Sequence, residues 1–424
     1  MKDDRELRLA VYGFVGEHLG SLCSGHFLFL RELLAKGHKV DFFSIHHTST
    51  GLESFPNFSF YVIEHSFSKR VWRLIDRLPK VLHKTVSLIF AQPSNRMHYS
   101  AIKERVAIAH ATQPYDAQLF LGLLPPWRVA KLPNIAWSQG CPKGESDWFL
   151  RNYSKLFAYG AWHLIPMLSI GYFWKHFESR RDLKLADVVF CGSKWAENCW
   201  VRFGATKSKL VPIPYPIDLE RFVPTEKSPQ NNQQNCVQLL YLGRIVPRKR
   251  FDLVLKAFEL VAAENEHIRL KVIGNFSYGG IGYKKLMERS AFSERIEYIS
   301  SIQRQSVPQL IADSDIIIQP SENENYGSAC TEAAAMGRPT LLGPTNGTAD
   351  YLPNASIRFA EYTPESVAQG IRDSIRVVQR EKDELARKCR RDAEDFLSPE
   401  SVTDEILAYI RSAIRSMKDS RVVN

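Results

Sequence analysis

The chain has few of the residues that build metal or disulfide frameworks. Seven cysteines are scattered through 424 residues without a CxxC pair, and the 12 histidines form no cluster at metal-ligand spacing. This excludes the usual structural zinc patterns and points to a reduced compartment. No uninterrupted run of about 18 apolar residues occurs, so no membrane-spanning helix is expected. The opening MKDDRELR is charged and leads into no signal-type apolar stretch, so a cytoplasmic location is expected. Acidic residues are the minority, 46 against 56 Lys and Arg, for a net charge of +10. Such a balance favours anionic partners, whether phosphates, nucleic acid or an acidic membrane, and says nothing of fold.

What is present is length and rhythm. A chain of 424 residues exceeds the usual range of one domain, so two are expected. Short apolar runs alternate with helical segments: LRLAVYGF from Leu7, KVDFFSI from Lys39, FSFYVI from Phe58, AQLFLG from Ala117, IAW from Ile135, DVVFCG from Asp187 and LVPIP from Leu210. The rhythm resumes with VQLLYLGR from Val237, IRLKVIG from Ile268, IEYIS from Ile296, DIIIQP from Asp315 and PTLLG from Pro339. Between the halves lies the polar, proline-bearing ERFVPTEKSPQNNQQN, Glu220 to Asn235, which reads as a linker. Alternation of strand and helix implies parallel sheets, here two Rossmann-like, doubly wound α/β domains facing a cleft. The expected division is 1–217, a linker at 218–236, a second domain at 237–396, and a terminal helix and tail at 397–424.

Two motifs of opposite charge stand at strand ends in the second half, where such sheets bind ligands. GRIVPRKRFD, Gly243 to Asp252, places Arg244, Arg248, Lys249 and Arg250 within seven residues. Arg grips two phosphate oxygens in a planar fork and Lys supplies a compact charge, so the loop suits a diphosphate. PSENENYGSACTEAAAMG, Pro320 to Gly337, places Glu324 and Glu332 on either side of a tight turn. Two carboxylates accept hydrogen bonds from sugar hydroxyls, and N–H groups near Ser328, Ala329 and Cys330 would offer a diphosphate site if a helix starts there.

These residues resemble the family 4 retaining glycosyltransferases of GT-B fold, also called glycosyl transferases group 1. The resemblance covers nearly the whole chain in fold order, but its specific matches are concentrated in Gly243 to Asp350. It implies that Gly243, Arg244 and Lys249 hold the nucleotide diphosphate, with Arg250 standing where the family commonly has glycine. It implies a place for Glu324 near the donor sugar's hydroxyls and for Glu332 at the ribose. The family's Gly-Phe-Gly turn reads Asn325, Tyr326, Gly327 here, and Asn tolerates left-handed backbone. In GPTNGTAD, Asn346 and Gly347 stand at a glycine pair and Asp350 replaces a glutamate. Gly274, ending the KVIG strand, belongs to the same cleft, and the YISSI segment at Tyr298 to Ile302 falls where the base is held.

The N-terminal half matches more weakly. Gly20, in GEHLGSLCSG, has the family's loop spacing, and Gln139 occupies the site of a histidine whose ring approaches the donor sugar. Gln139 hydrogen-bonds but supplies neither positive charge nor a useful acid-base group. The resulting expectation is a retaining transfer of a hexose from a nucleotide-sugar donor to a hydroxyl acceptor that is a small molecule, a glycan or lipid-linked. Arg244, Lys249 and Glu324 are the catalytic candidates, with no cofactor, no essential metal and no nucleic-acid partner. Two other readings stand beside it: a nucleotide-sugar epimerase or sugar phosphorylase of related fold, and a noncatalytic nucleotide-sugar-binding protein.

Two further segments carry expectations. Phe67 to Phe90 combines Lys69, Arg70, Arg73, Arg77, Lys80 and Lys84 with Val71, Trp72, Leu74, Ile75, Leu78, Val81 and Leu82, and Pro79 kinks or divides it. Such a helix either rests on an anionic membrane or packs on the sheet with one apolar face. From Ser398-Pro399-Glu400, Val402, Ile406, Ile410, Ile414 and Met417 recur at about one-turn spacing. In the resembling fold, the last helices cross back to the first domain.

Overall fold

A computed structural model of the chain describes residues 5–16, 21–45, 49–63, 66–158, 165–228, 236–276 and 281–422. The first sheet is built from β1 (Arg8–Gly13), β2 (Lys39–Ser44), β3 (Phe58–Val62), β4 (Ala117–Leu121), β5 (Asn134–Ser138), β6 (Val188–Cys191) and β7 (Leu210–Pro212). Its order is β3-β2-β1-β4-β5-β6-β7, with every pairing parallel. The largely apolar strands β4 and β5 are buried along their whole length, as a sheet covered on both faces requires. Its helices are α1 (Ser21–Ala35), α2 (Ser66–Ile75), α3 (Lys80–Thr112), α4 (Pro142–Ala158), α5 (Ile165–Leu185) and α6 (Lys194–Phe203).

The second sheet contains β8 (Val237–Leu242), β9 (Ile268–Ile273), β10 (Ile296–Ile299), β11 (Ile316–Gln319), β12 (Thr340–Leu342) and β13 (Ser356–Arg358), in the parallel order β10-β9-β8-β11-β12-β13. With it run α7 (Phe251–Ala262), α8 (Ile281–Glu288), α9 (Val307–Ala312), α10 (Ser328–Ala335) and α11 (Pro364–Leu397), and α12 (Pro399–Val422) follows them in the chain. In each sheet the strand order reverses beside the first strand, between β1 and β4 and between β8 and β11. The crevice outside the carboxyl ends of those strands is where a doubly wound sheet opens to a ligand. The basic loop follows β8 and the acidic loop follows β11, so topology alone brings them together.

Pro79 divides the basic segment, ending α2 and standing at the N-cap of α3. Of its residues, Ile75 is buried while Arg70, Arg73, Leu74 and Arg77 are exposed. The side chains of Lys69, Lys80 and Lys84 lie outside the described residues, as does Gly20. The terminal helix α12 returns to the first domain. Val402, Ile406, Ile410 and Ile414 enter the same core as Leu28, Phe29, Leu33 and Trp137, and Lys36 meets Asp404 at 3.0 Å. Where the chain crosses between domains, the Ile217 N–H donates to the Leu397 carbonyl at 2.9 Å, tying the two crossings together.

Candidate active site

The basic loop turns sharply because its backbone is closely supported. Gly243 leaves β8 and its N–H donates to the Ile273 carbonyl at 2.9 Å. A Cβ on Gly274 would lie 1.9 Å from the Gly243 carbonyl oxygen, so Gly274 permits the two strand ends to touch. The buried Tyr241 hydroxyl donates to the Arg244 carbonyl at 3.1 Å. A short 3-10 turn, Pro247–Lys249, then leads to Arg250, whose backbone is left-handed at φ +53°. The residue standing at the expected glycine thus adopts a glycine-like conformation. Its guanidinium is buried between Asp252, at 3.1 Å from Nε, and Glu322. Arg250 is therefore a structural anchor rather than a surface charge.

The acidic loop is fastened to this turn. The Glu322 N–H donates to the Arg248 carbonyl at 3.0 Å, and Arg248 Nη1 returns bonds to the Glu322 and Asn323 carbonyls at 3.1 and 3.2 Å. The left-handed residue of this loop is Asn323, at φ +52°, and not Asn325 as the glycine comparison suggested. Asn323 instead carries the reversal and donates through Nδ2 to the Gly144 carbonyl of the first domain at 3.0 Å. Glu324 is buried and paired with Lys249, with Arg248 Nη1 at 3.6 Å. Burial opposes its ionisation most strongly, but Lys249 and Arg248 together outweigh it and hold the carboxyl below its ordinary range.

After Gly327 the chain enters α10 without a side-chain cap, leaving first-turn N–H groups of the kind that receive anions. Glu332, one turn further, is buried and accepts from Arg304 Nη2 at 3.2 Å. Cys330, on the same turn, is fully buried, which raises its thiol far above the usual range and makes it a poor nucleophile.

These groups line one interdomain cleft of about 830 Å³. It brings together Gly243, Arg244, Lys249, Glu324, Asn325, Tyr326, Gly327, Ser328, Ala329 and Glu332 from the second domain with Gln139 from the loop after β5. Arg244 is exposed to this space, and no carboxylate stands within ion-pair distance of it among the described residues. Tyr326 borders the cleft, but its ring packs into the first domain and its hydroxyl donates to the Tyr215 carbonyl at 2.9 Å.

Gly274, Asn346 and Gly347 are not on the cleft wall. Gly274 lies beneath Gly243, as described above. Asn346 caps a short 3-10 helix, Gly347–Tyr351, by accepting from the Thr348 N–H at 3.1 Å. The Gly347 N–H donates to the Glu324 carbonyl at 2.9 Å, so this pair positions the acidic loop from behind. Asp350 accepts from the Lys194 N–H at 2.9 Å and joins the domain seam. Tyr298 pairs with the Phe276 ring at the outer strands, with centroids 5.1 Å apart.

Sequence reasoning missed three cleft groups: Arg248 as the second cation on Glu324, Arg304 on Glu332, and the Glu145–Lys175 pair at 3.2 Å. Arg248 was visible as one charge of a basic loop. Glu145 and Lys175 sit in separate helices, and no local pattern marks them. Glu145 is also held below its ordinary range: burial again opposes this, while Lys175 and Arg248 together prevail.

Residues 223–395 match the family model described as "Glycosyl transferases group 1". A GDP-mannose-dependent alpha-(1-6)-phosphatidylinositol dimannoside mannosyltransferase of Mycobacterium tuberculosis is 27% identical over 225 residues, 52% of this chain and 56% of that protein. The GPI3 subunit of the phosphatidylinositol N-acetylglucosaminyltransferase of Saccharomyces cerevisiae is 24% identical over 198 residues, 46% of this chain and 44% of that protein. The chain thus spans about half the length of the relatives it matches. The structure of Anabaena HepE in complex with UDP and glucose superposes with a TM-score of 0.64 at 13% identity, covering 96% of this chain and 100% of that one. Residues 223–395 thus resemble the glycosyl transferases group 1, and the two facing parallel sheets, with a basic and an acidic loop at their switch points, share the GT-B fold of solved structures such as HepE.

Proposed function

We propose that the protein transfers a hexosyl group from a nucleoside-diphosphate sugar to a hydroxyl of an acceptor, with retention of the donor's anomeric configuration. The observation that carries this reading is the convergence of Arg244, the Lys249–Glu324 pair and the uncapped start of α10 on one cleft. Arg244, Lys249 and the α10 N–H groups face the diphosphate and stabilise charge as it departs, where transition-state electrostatics contribute most. Glu332 holds the ribose and Glu324 the sugar hydroxyls. The bond between the anomeric carbon and phosphate oxygen breaks while the bond to the acceptor oxygen forms on the same face. The acceptor's proton passes to the leaving phosphate. Gln139 supplies a hydrogen bond only, so no side chain on its loop takes that proton. Arg244, Lys249 and the α10 N–H groups supply the charge stabilisation in this scheme, which calls on no essential metal.

The acceptor is proposed to be a polyol or glycan headgroup carried on lipid. The relatives' named phosphatidylinositol substrates and the exposed Arg70, Arg73 and Arg77 of the α2 region support it. On this reading the protein works at the cytoplasmic face of an anionic membrane. No helix among the described residues is long and apolar enough to cross one.

The test is a panel of GDP- and UDP-hexoses with soluble and lipid-linked polyols, read by product mass, with proton NMR of the new linkage. A product of retained configuration is expected. An inverted product overturns the stereochemistry. Tight donor binding by calorimetry without transfer, exchange or hydrolysis overturns the enzyme reading. Isomerised donor sugar or phosphate-dependent cleavage identifies the epimerase or phosphorylase alternatives.

A further inference from the structure

The helix α5 presents an apolar stripe to solvent. Ile170, Phe173, Trp174 and Phe177 are 61, 68, 46 and 56% exposed, and their i, i+3, i+4, i+7 spacing puts them on one side of the helix. Such a stripe ordinarily faces a core, yet this helix already has one elsewhere. Ile165, Leu168 and Tyr172 pack against buried Phe149 of α4, and His176 reaches Ser146 Oγ at 3.2 Å. On α4, Leu150 and Tyr153 add exposed apolar surface at i, i+3 spacing, 66 and 55% exposed. A single exposed apolar residue is ordinary; a periodic aromatic stripe marks an interaction surface.

A third side of α5 belongs to the candidate active site. Lys175, Glu178 and Asp182 line the cleft, so the apolar stripe lies within about one helix diameter, roughly 10–12 Å, of its wall. Two of its rings are Phe and one is Trp, the residue that favours the boundary between hydrocarbon and water. Exposed cations accompany the stripe: Arg151 on α4, and Arg180 and Lys184 toward the C-terminal end of α5. The chain as a whole carries +10. This combination matches an anionic bilayer surface, with rings at the acyl boundary and cations among headgroups.

We propose that the α4–α5 hairpin seats the protein on an anionic lipid surface through Ile170, Phe173, Trp174 and Phe177, holding the cleft beside the headgroups. The seating stands on the exposed stripe; its use in delivering an acceptor rests on the transferase reading. The α2 region contributes charge, whereas the hairpin contributes the insertion.

The test uses the full chain with vesicles of phosphatidylglycerol and phosphatidylcholine, and with phosphatidylcholine alone. Phe173→Gln/Trp174→Gln/Phe177→Gln is expected to keep the wild-type circular dichroism and donor turnover in solution, and to lose at least about tenfold in partitioning to anionic vesicles, a change of about 1.4 kcal/mol. Wild-type tryptophan fluorescence should be quenched by brominated lipid, and Trp174→Phe should remove most of that quenching. Equal sedimentation of wild type and triple variant, or quenching unchanged in Trp174→Phe, overturns the proposal. Conversion of a wild-type dimer to a monomer by the triple variant, without vesicle binding, assigns the stripe to self-association and also overturns it. Vesicle binding without turnover on any donor refutes the transferase reading while leaving the seating intact.

Discussion

Lys249 and Glu324 are 75 residues apart in sequence and form a buried ion pair that joins the turn after β8 to the loop after β11. Arg248 stands 3.6 Å from the same carboxylate. One anion therefore holds two cations at the place where a diphosphate would develop charge. Lys249→Ala is expected to lower kcat about 100- to 1,000-fold, the cost of removing one well-placed stabilising group. Its fold should persist, because Arg248 still neutralises Glu324. Steady-state kinetics beside circular dichroism checks this, and wild-type turnover in a folded Lys249→Ala protein rules out the phosphate role.

The same pair makes stability depend on pH. Glu324 ionises below its ordinary range in the folded chain, because Lys249 and Arg248 together overcome its burial. The unfolded carboxyl titrates near about 4.3, so the stabilisation is fully present above that value and is lost as pH falls through the lower folded value. Glu324→Gln has no proton to take up there. The difference in Tm between wild type and Glu324→Gln should be constant from neutral pH to about 5 and shrink below about 4. A gap that instead widens toward low pH contradicts the direction of the shift.

Arg250 combines a backbone cost with a side-chain gain. Left-handed geometry costs a non-glycine residue roughly 1–2 kcal/mol. Removing one partner of a buried ion pair costs about 3–5 kcal/mol. Arg250→Gly should therefore relieve the first, suffer the second, and lose roughly 1–4 kcal/mol net, read from urea denaturation. Adding Glu322→Gln should recover part of that loss by removing a carboxylate that has lost its Arg250 partner. An Arg250→Gly protein more stable than wild type means the contacts to Asp252 and Glu322 contribute little.

Much of this arrangement can be read in the chain itself. The apolar runs from Val237, Ile268 and Asp315 become β8, β9 and β11 because Ile, Leu and Val dominate them and a Gly or Pro follows each. The period from Val402 to Ile414 identifies a helix with one buried face, and that face is the one that enters the first core. By contrast β13, three residues with a partly exposed Ser356–Arg358, has too little apolar pattern to stand out. Within the site, Arg244, Lys249, Glu324 and Glu332 are legible because each lies in a short charged motif at a strand end. Arg304 and Glu145 gain meaning only from packing, since their partners lie on other elements. Asn346 and Gly347 are legible as a turn at a strand end, yet contacts across the domain seam decide that they support the cleft from behind.

That seam provides the last test. Ser193 caps α6, accepting from the Ala196 N–H at 3.1 Å, and its hydroxyl donates to the Asn325 carbonyl at 2.7 Å. A Cβ on Gly347 would lie 2.0 Å from Ser193 Oγ, closer than any real contact, so the two domains approach here only because position 347 has no side chain. Gly347→Ala must push the α6 N-terminus away from the acidic loop. The Gly347 N–H bond to the Glu324 carbonyl shifts with it. Overpacking of this kind costs about 1–3 kcal/mol, and a displacement of about 1 Å at a reacting group can cost about 100-fold in rate. Ser193→Gly alone loses both hydroxyl hydrogen bonds but opens the space, and glycine remains tolerable at a helix N-cap. The double variant Gly347→Ala/Ser193→Gly should recover a large part of the rate lost by Gly347→Ala, measured as donor turnover at saturating substrate. Equal activity of Gly347→Ala and the double variant would show that closeness at this seam does not set the geometry of Glu324.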